Sequence, residues 1–430
     1  MNNIDYKYIF NFQLLPYLVA FTVFSTELFK HFFFNSYFAI DIYLILISIL
    51  GLCFIKKINK KLIIIFTSII FILFVSFIVL NLYNYSIENL IRQGIGICLV
   101  YLGLGSLLTR IDKVILIRAY MNISLFVALI GILQWLLSYF AIMDILIKVP
   151  GQMDSIFYEP SHYAIALAPA LFLLSRSFFL NMSLKIFIKT SLIVFSYLIT
   201  FSLAAYLILL VVIIYFFIIE KKLIFIILPF FLISTFFINN IKLTDDKKAL
   251  LSLPYKLNEL NLKIENLYNN FKNINSLNEI EVPKNLTAFS FFINLNTAQT
   301  TINSGRILGN GFGSHSQVLL ETAPMNFRNT YYFENQIFNS NGFSLLIRVI
   351  SEFGLPGIIL YILFVAKGIF RNPYSQNIYD IWWILGSVHL ITLAFKTTSF
   401  IDNGTPMFIL VPLLMNRYFL IKKNNIVLRF

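Results

Sequence analysis

The sequence predicts an all-α polytopic membrane protein of about twelve transmembrane helices, with one large helical extracytoplasmic loop between the ninth and tenth spans. Three observations lead there. Hydrophobic residues make up 59% of the chain and charged residues 12%, with a mean hydropathy of +0.81; soluble globular domains do not reach that composition. Apolar runs long enough to cross about 30 Å of hydrocarbon recur along the chain. One stretch alone, residues 240–341, is dense in Lys, Asp, Glu and Asn.

The apolar runs start near residues 8, 36, 62, 93, 114, 162, 187, 204, 223, 354, 380 and 405. Between the seventh and eighth the pattern is broken only by Thr200, Ser202 and small residues, so that boundary is the least defined. Three segments follow: residues 1–239 with nine spans and a short outer loop at 141–161, the module at 240–341, and residues 342–430 with three spans. The first run lacks a small-residue cleavage site and reads as a retained span. Cys53 and Cys98 both fall inside spans, which argues against a disulfide framework.

Charge gives the orientation. The net charge is +13, and residues 240–341 hold nine Lys/Arg against eight Asp/Glu, so about +12 lies elsewhere. It falls on alternate connections: Lys56, Lys57, Lys60 and Lys61; Arg110 and Lys113; Lys185 and Lys189; Lys221 and Lys222; Lys367 and Arg371; Lys422 and Lys423. The other connections carry little beyond Lys30, Arg92, Lys148 and Lys396. The positive-inside rule then puts both termini in the cytoplasm and the long module outside. No basic face interleaved with aromatics accompanies the sequence pI of about 9.5, so nucleic acid is not an expected partner.

The chemistry-bearing residues gather in the outer connections. Lys148–Tyr163 reads KVPGQMDSIFYEPSHY. Pro160 holds Glu159 extended and suits the first turn of the next span, whose start Ser161 and His162 cap or face. A carboxylate and an imidazole three residues apart, Glu159 and His162, can share a proton or orient an acceptor hydroxyl. In the long module, Leu257, Leu260, Ile264, Leu267, Phe271 and Ile274 form one apolar helix seam between Pro254 and Pro283. Residues 285–303 mix aromatics with Asn, Thr and Gln without a clear period.

Ser304-Gly305-Arg306 and then Gly309, Gly311, Gly313 and His315 follow, a glycine run beside an arginine that suits an anion. It lacks the lysine and Ser/Thr of a P-loop and lies outside, so a phosphate bound there would be carried on a lipid. Arg328 lies further on. Arg348 and Glu352 stand four apart on one helix face, as a local ion pair would. Two or three arginines converging on one outer cavity would call for an anionic ligand.

In that order, Phe157–His162 (FYEPSH), Arg306–Gly313 (RILGNGFG) and Ser351–Gly357 (SEFGLPG) resemble the polysaccharide polymerases of the Wzy type, in the superfamily that includes the O-antigen ligases. The resemblance covers nearly the whole chain and implies metal-independent glycosyl transfer without a cofactor. The growing glycan would pass from undecaprenyl pyrophosphate onto a new lipid-linked repeat unit of a capsule, lipopolysaccharide or related polymer. It further implies Glu159, His162 and Arg306 as catalytic residues, with Arg306 stabilising the departing pyrophosphate. Ser161, Lys148, Gly311, Gly313, His315, Arg328, Arg348 and Glu352 would bind substrate. A chain-length regulator and a flippase are further candidate partners, beside the bilayer.

Two departures temper it. Ligases usually carry a histidine followed by asparagine where this chain reads Asn339-Ser340-Asn341-Gly342, which disfavours transfer to lipid A-core. Polymerases often place an arginine shortly before the Glu-Pro-Ser motif, whereas here the nearest upstream cation is Lys148. A lipid-linked oligosaccharide flippase is the alternative of another class; the chain shows no duplication between halves, and its ionisable residues cluster at the outer face.

Overall fold

A computed structural model describes residues 14–32, 42–53, 59–139, 153, 155–157, 159–200, 202–219, 286–322, 344–396, 399–401 and 404–415. The run near residue 223, the seam at 257–274, Lys148 and Arg328 lie outside these. Among the described residues there are thirteen helices and no strand. They are α1 (Leu14–Phe32), α2 (Ile42–Cys53), α3 (Lys60–Leu82), α4 (Glu88–Leu108), α5 (Lys113–Tyr139), α6 (Pro160–Leu180), α7 (Leu184–Leu198) and α8 (Leu203–Ile219), then α9 (Leu286–Asn303), α10 (His315–Thr322), α11 (Leu345–Ile369), α12 (Ile378–Leu393) and α13 (Thr405–Leu414).

Five of these, α3, α4, α5, α6 and α11, are long and apolar enough to cross a membrane. Such a bundle is compatible with a multi-pass membrane protein. The undefined boundary falls at Ile199–Ser202, where α7 gives way to α8. Residues 286–303, which showed no period, form α9.

Helix α6 is the hub. Its apolar window is 78% buried, against 17% for α3 and 22% for α11, and it packs on α5, α7, α8 and α12. Pro169 lies inside α6 and interrupts its hydrogen-bond ladder. The Tyr120 hydroxyl from α5 bridges the break, accepting from the Ala170 N–H at 3.2 Å and donating to the Ala166 carbonyl at 2.7 Å. Tyr163 of α6 donates to Ser196 of α7 at 2.6 Å. By contrast α3 turns Ile64, Phe71 and Phe74 outward, and α11 does the same with Leu360 and Leu363. Water would not wet such faces willingly, whereas hydrocarbon would.

Helix α11 is interrupted where the sequence reads SEFGLPG. Gly354 takes φ 57° and ψ −142°, a conformation closed to side-chain-bearing residues, and Pro356 follows two positions later. Pro356 has no N–H to offer the Glu352 carbonyl, and the turn at Gly354 releases the Ser351 carbonyl. Both are taken by the loop after α9: Asn310 N–H bonds Ser351 O at 3.0 Å and Gly311 N–H bonds Glu352 O at 2.9 Å. In return the Leu355 N–H bonds Ile307 O at 2.9 Å. A Cβ on Gly354 would collide with the Ile307 carbonyl.

Candidate active site

Residues 304–314 and the turn between α3 and α4 build one side of the site. Arg306 is half-buried, and its guanidinium lies 4.4 Å over the Tyr83 ring. Its Nη1 donates to the Tyr85 hydroxyl at 2.8 Å and to Asn310 Oδ1. Nε and Nη2 have no hydrogen-bond partner among the described residues. The Tyr85 hydroxyl in turn donates to Glu321 Oε2 at 2.7 Å, and its phenol pKa is raised, first by burial and then by Glu321. Asn310 is fully buried and ties the loop together, donating to Thr301 Oγ1 at 2.8 Å and Ser351 O at 2.9 Å.

The rim beside Arg306 is apolar. Ile307 and Leu308 are 66% and 55% exposed, and Ile302 and Leu355 are exposed next to them. A cation with open donors therefore sits among side chains that prefer lipid to water.

Gly311, Gly313, His315, Arg348 and Glu352 gather immediately inside this surface. Gly311 presses on Leu80 and the Ser76 carbonyl of α3, at φ 89°. Gly313 presses on Asn89 and Leu90 of α4. These glycines serve close backbone approach, so the cradle expected for a ligand phosphate is used within the protein. Glu352, 1% exposed, supplies the anion: the main-chain N–H groups of Gly313 and His315 face its carboxylate. Its Oε1 accepts from Arg348 Nε at 3.0 Å.

Arg348, 3% exposed, also donates to Gln93 and lies against the Phe312 and Phe400 rings at 5.5 and 4.9 Å. The convergence of Arg306 and Arg348 on one open cavity is not what forms here. Arg348 is enclosed with its own carboxylate, and Arg306 is the arginine that reaches the surface.

His315 is the first residue of α10, with its ring nitrogen Nε2 2.7 Å from Asn294 Oδ1. Burial, then the nearby Arg348 charge, lowers its pKa to about 3. The folded chain thus holds it neutral while the unfolded chain titrates near 6.5. Stability is full above pH 6.5 and is lost as pH falls towards 3, by about 1.4 kcal/mol per unit for this group alone. Thermal unfolding of His315→Gln in detergent should show a flatter pH dependence than the parent between pH 6.5 and 4.5. Parallel curves would mean the imidazole is not held neutral.

A second cluster of the expected residues lies at the start of α6. Phe157 is fully buried against Phe24 and Tyr163, which pins the connection to the bundle. Glu159 is extended, at φ −136° and ψ 139°, and precedes Pro160 at the first turn. Ser161 does not cap the helix; its hydroxyl donates to Glu159 Oε2 at 3.2 Å. The same oxygen pairs with Lys396 Nζ at 3.3 Å, with side chains 36% and 22% exposed. His162 sits one residue further on, half-buried.

Lys396 belongs to the connection between α12 and α13, and four residues later Phe400 meets Phe312, Phe353 and Arg348. The Phe400 carbonyl accepts from Tyr101 at 3.0 Å. One connection thus touches both the Glu159 cluster and the Arg348 cluster. The sequence marks Lys396 only as a stray outer cation and does not single out Tyr85 or Asn310. The signal for Lys396 was its presence on a face otherwise poor in positive charge. On α9, Asn294, Thr297 and Thr301 make a buried polar stripe at helical spacing, legible only once 286–303 is known to be helical.

No protein-family model matches the chain, and no curated protein or solved structure is significantly similar to it.

Proposed function

We propose that the chain is a metal-independent membrane glycosyltransferase that polymerises lipid-linked oligosaccharide repeat units. The growing glycan would pass from undecaprenyl pyrophosphate onto a new lipid-linked unit at the outer face of the cytoplasmic membrane. The observation that carries this reading is Arg306, with two open donor positions in a rim of exposed Ile302, Ile307, Leu308 and Leu355. An anion bound there meets hydrocarbon at once, which fits a phosphate carried on a lipid better than a soluble one. The resemblance of the FYEPSH, RILGNGFG and SEFGLPG segments adds the reaction class.

On this reading about twelve helices cross the membrane, both termini are cytoplasmic, and residues 240–341 lie outside. The acceptor hydroxyl attacks the anomeric carbon of the donor sugar while the bond to the pyrophosphate oxygen breaks. Glu159, paired with Lys396 at 3.3 Å, receives the hydroxyl proton, with His162 as the neighbouring candidate. The leaving pyrophosphate stays on its lipid, and Arg306 stabilises its added charge.

The test is incubation of the purified protein with its lipid-linked repeat unit, followed by separation of products. The expected result is a ladder of lipid-linked polymers without added metal. With the cognate unit and folded protein, absence of any ladder would overturn the reading.

A further inference from the structure

At the end of the bundle opposite Arg306, several cations have their donors taken up by the chain itself. Lys61 donates to the Leu413 and Met415 carbonyls, Lys113 to those of Leu108 and Ile111, and Arg176 to those of Pro373 and Ser375. Arg371 pairs with Asp380 at 3.0 Å. Arg118, Lys185 and Lys189 differ. They line a single cavity of about 190 Å³ together with Asn122, Met121, Leu125 and Leu174, and none of the three has an ion pair or hydrogen bond among the described residues.

The cavity follows from helix geometry. Arg118, Met121, Asn122 and Leu125 fall on one face of α5, and Lys185 and Lys189 stand four apart on α7. Leu174 of α6 closes the floor. Like charges four apart on a helix repel, and a third cation from α5 adds to that cost. Among the described residues no carboxylate lines the cavity. From Arg118 to Leu125 the lining changes from cationic to apolar over about 10 Å of helix rise, the order in which a lipid presents its phosphate and then its acyl chains.

We propose that this cavity binds the phosphate headgroup of an anionic phospholipid of the cytoplasmic leaflet. Arg118, Lys185 and Lys189 hold the phosphate, and Met121, Leu125 and Leu174 meet the first acyl carbons. Basic pockets between transmembrane helices take such headgroups. The lipid then clamps α5 and α7 onto α6, the helix whose other end carries Glu159. The inference rests on the orientation proposed above and not on the polymerase chemistry.

The full chain in neutral detergent is titrated with phosphatidylglycerol, with phosphatidylethanolamine of the same acyl chains, and with inorganic phosphate. Thermal unfolding and native mass spectrometry are the readouts. Phosphatidylglycerol is expected to raise the unfolding temperature and to remain bound, and the other two to do neither. Each of Arg118→Gln, Lys185→Gln and Lys189→Gln should weaken the apparent affinity about five-fold, whereas Lys60→Gln, at an exposed cation off the cavity, should leave it unchanged. Lys189→Arg should retain binding, which separates lost charge from lost fold. Equal stabilisation by phosphatidylethanolamine, an undiminished shift in the triple glutamine variant, or an equal effect of inorganic phosphate would each overturn the proposal. Ladder formation measured on the same variants reads the polymerase proposal independently.

Discussion

Replacing Arg306 by alanine is expected to lower polymer formation by about 10²–10³-fold, the range seen when one donor to a developing negative charge is removed. The loss should fall on turnover with lipid-linked repeat unit at saturation, because the interaction strengthens as charge accumulates on the departing pyrophosphate. Folding should change little. Arg306 gives the protein Nη1, to Tyr85 and Asn310, and its face over the Tyr83 ring, and partly exposed contacts of these kinds contribute about 1 kcal/mol each. Arg306→Lys keeps the charge without the planar fork, so it should recover part of the activity. Ladder assays at matched protein amounts decide the matter: an alanine variant within a few-fold of the parent removes Arg306 from the chemistry.

Arg348→Met carries the largest expected effect on stability. It leaves the Glu352 carboxylate buried without its cation, and breaking a buried pair in this way costs about 3–5 kcal/mol. Little folded protein should survive detergent extraction. Replacing both partners, Arg348→Met with Glu352→Leu, removes the stranded charge and should restore most of the folded yield. Size-exclusion recovery and unfolding temperature read both variants. A single variant as stable as the parent would show that the enclosed pair does not hold the loop; a folded double variant that forms no ladder would return Arg348 to the reacting site.

Much of the helical architecture was legible from apolar runs, because a membrane-length run of Leu, Ile and Phe leaves few alternatives to a helix. The start of α6 was legible for a related reason: Glu-Pro-Ser-His fixes an extended residue, a first-turn proline and polar side chains in one order. The partners were harder. Lys396 reaches Glu159 from 237 positions away in sequence, and no local pattern announces such a pair. Residues 286–303 hid their helix because their buried face is polar, with Asn294, Thr297 and Thr301 turned inward, so the apolar period that marks a helix is missing. The glycine run is read from the sequence as suited to a lipid phosphate, whereas the main-chain N–H groups of Gly313 and His315 face the Glu352 carboxylate, which lies more than thirty positions downstream and which no local pattern announces.

The splice between the glycine loop and the broken turn of α11 bears on how the protein is made. Residues 304–314 emerge from the ribosome well before residues 351–355, yet the N–H groups of Asn310 and Gly311 find their acceptors only there. Until α11 is in place, the loop lacks the backbone acceptors at Ser351 and Glu352, although Tyr83 and Tyr85, which hold Arg306, are already made. The loop is therefore completed late in synthesis, only when α11 is in place, and a nascent chain halted before that helix would display it without its backbone acceptors.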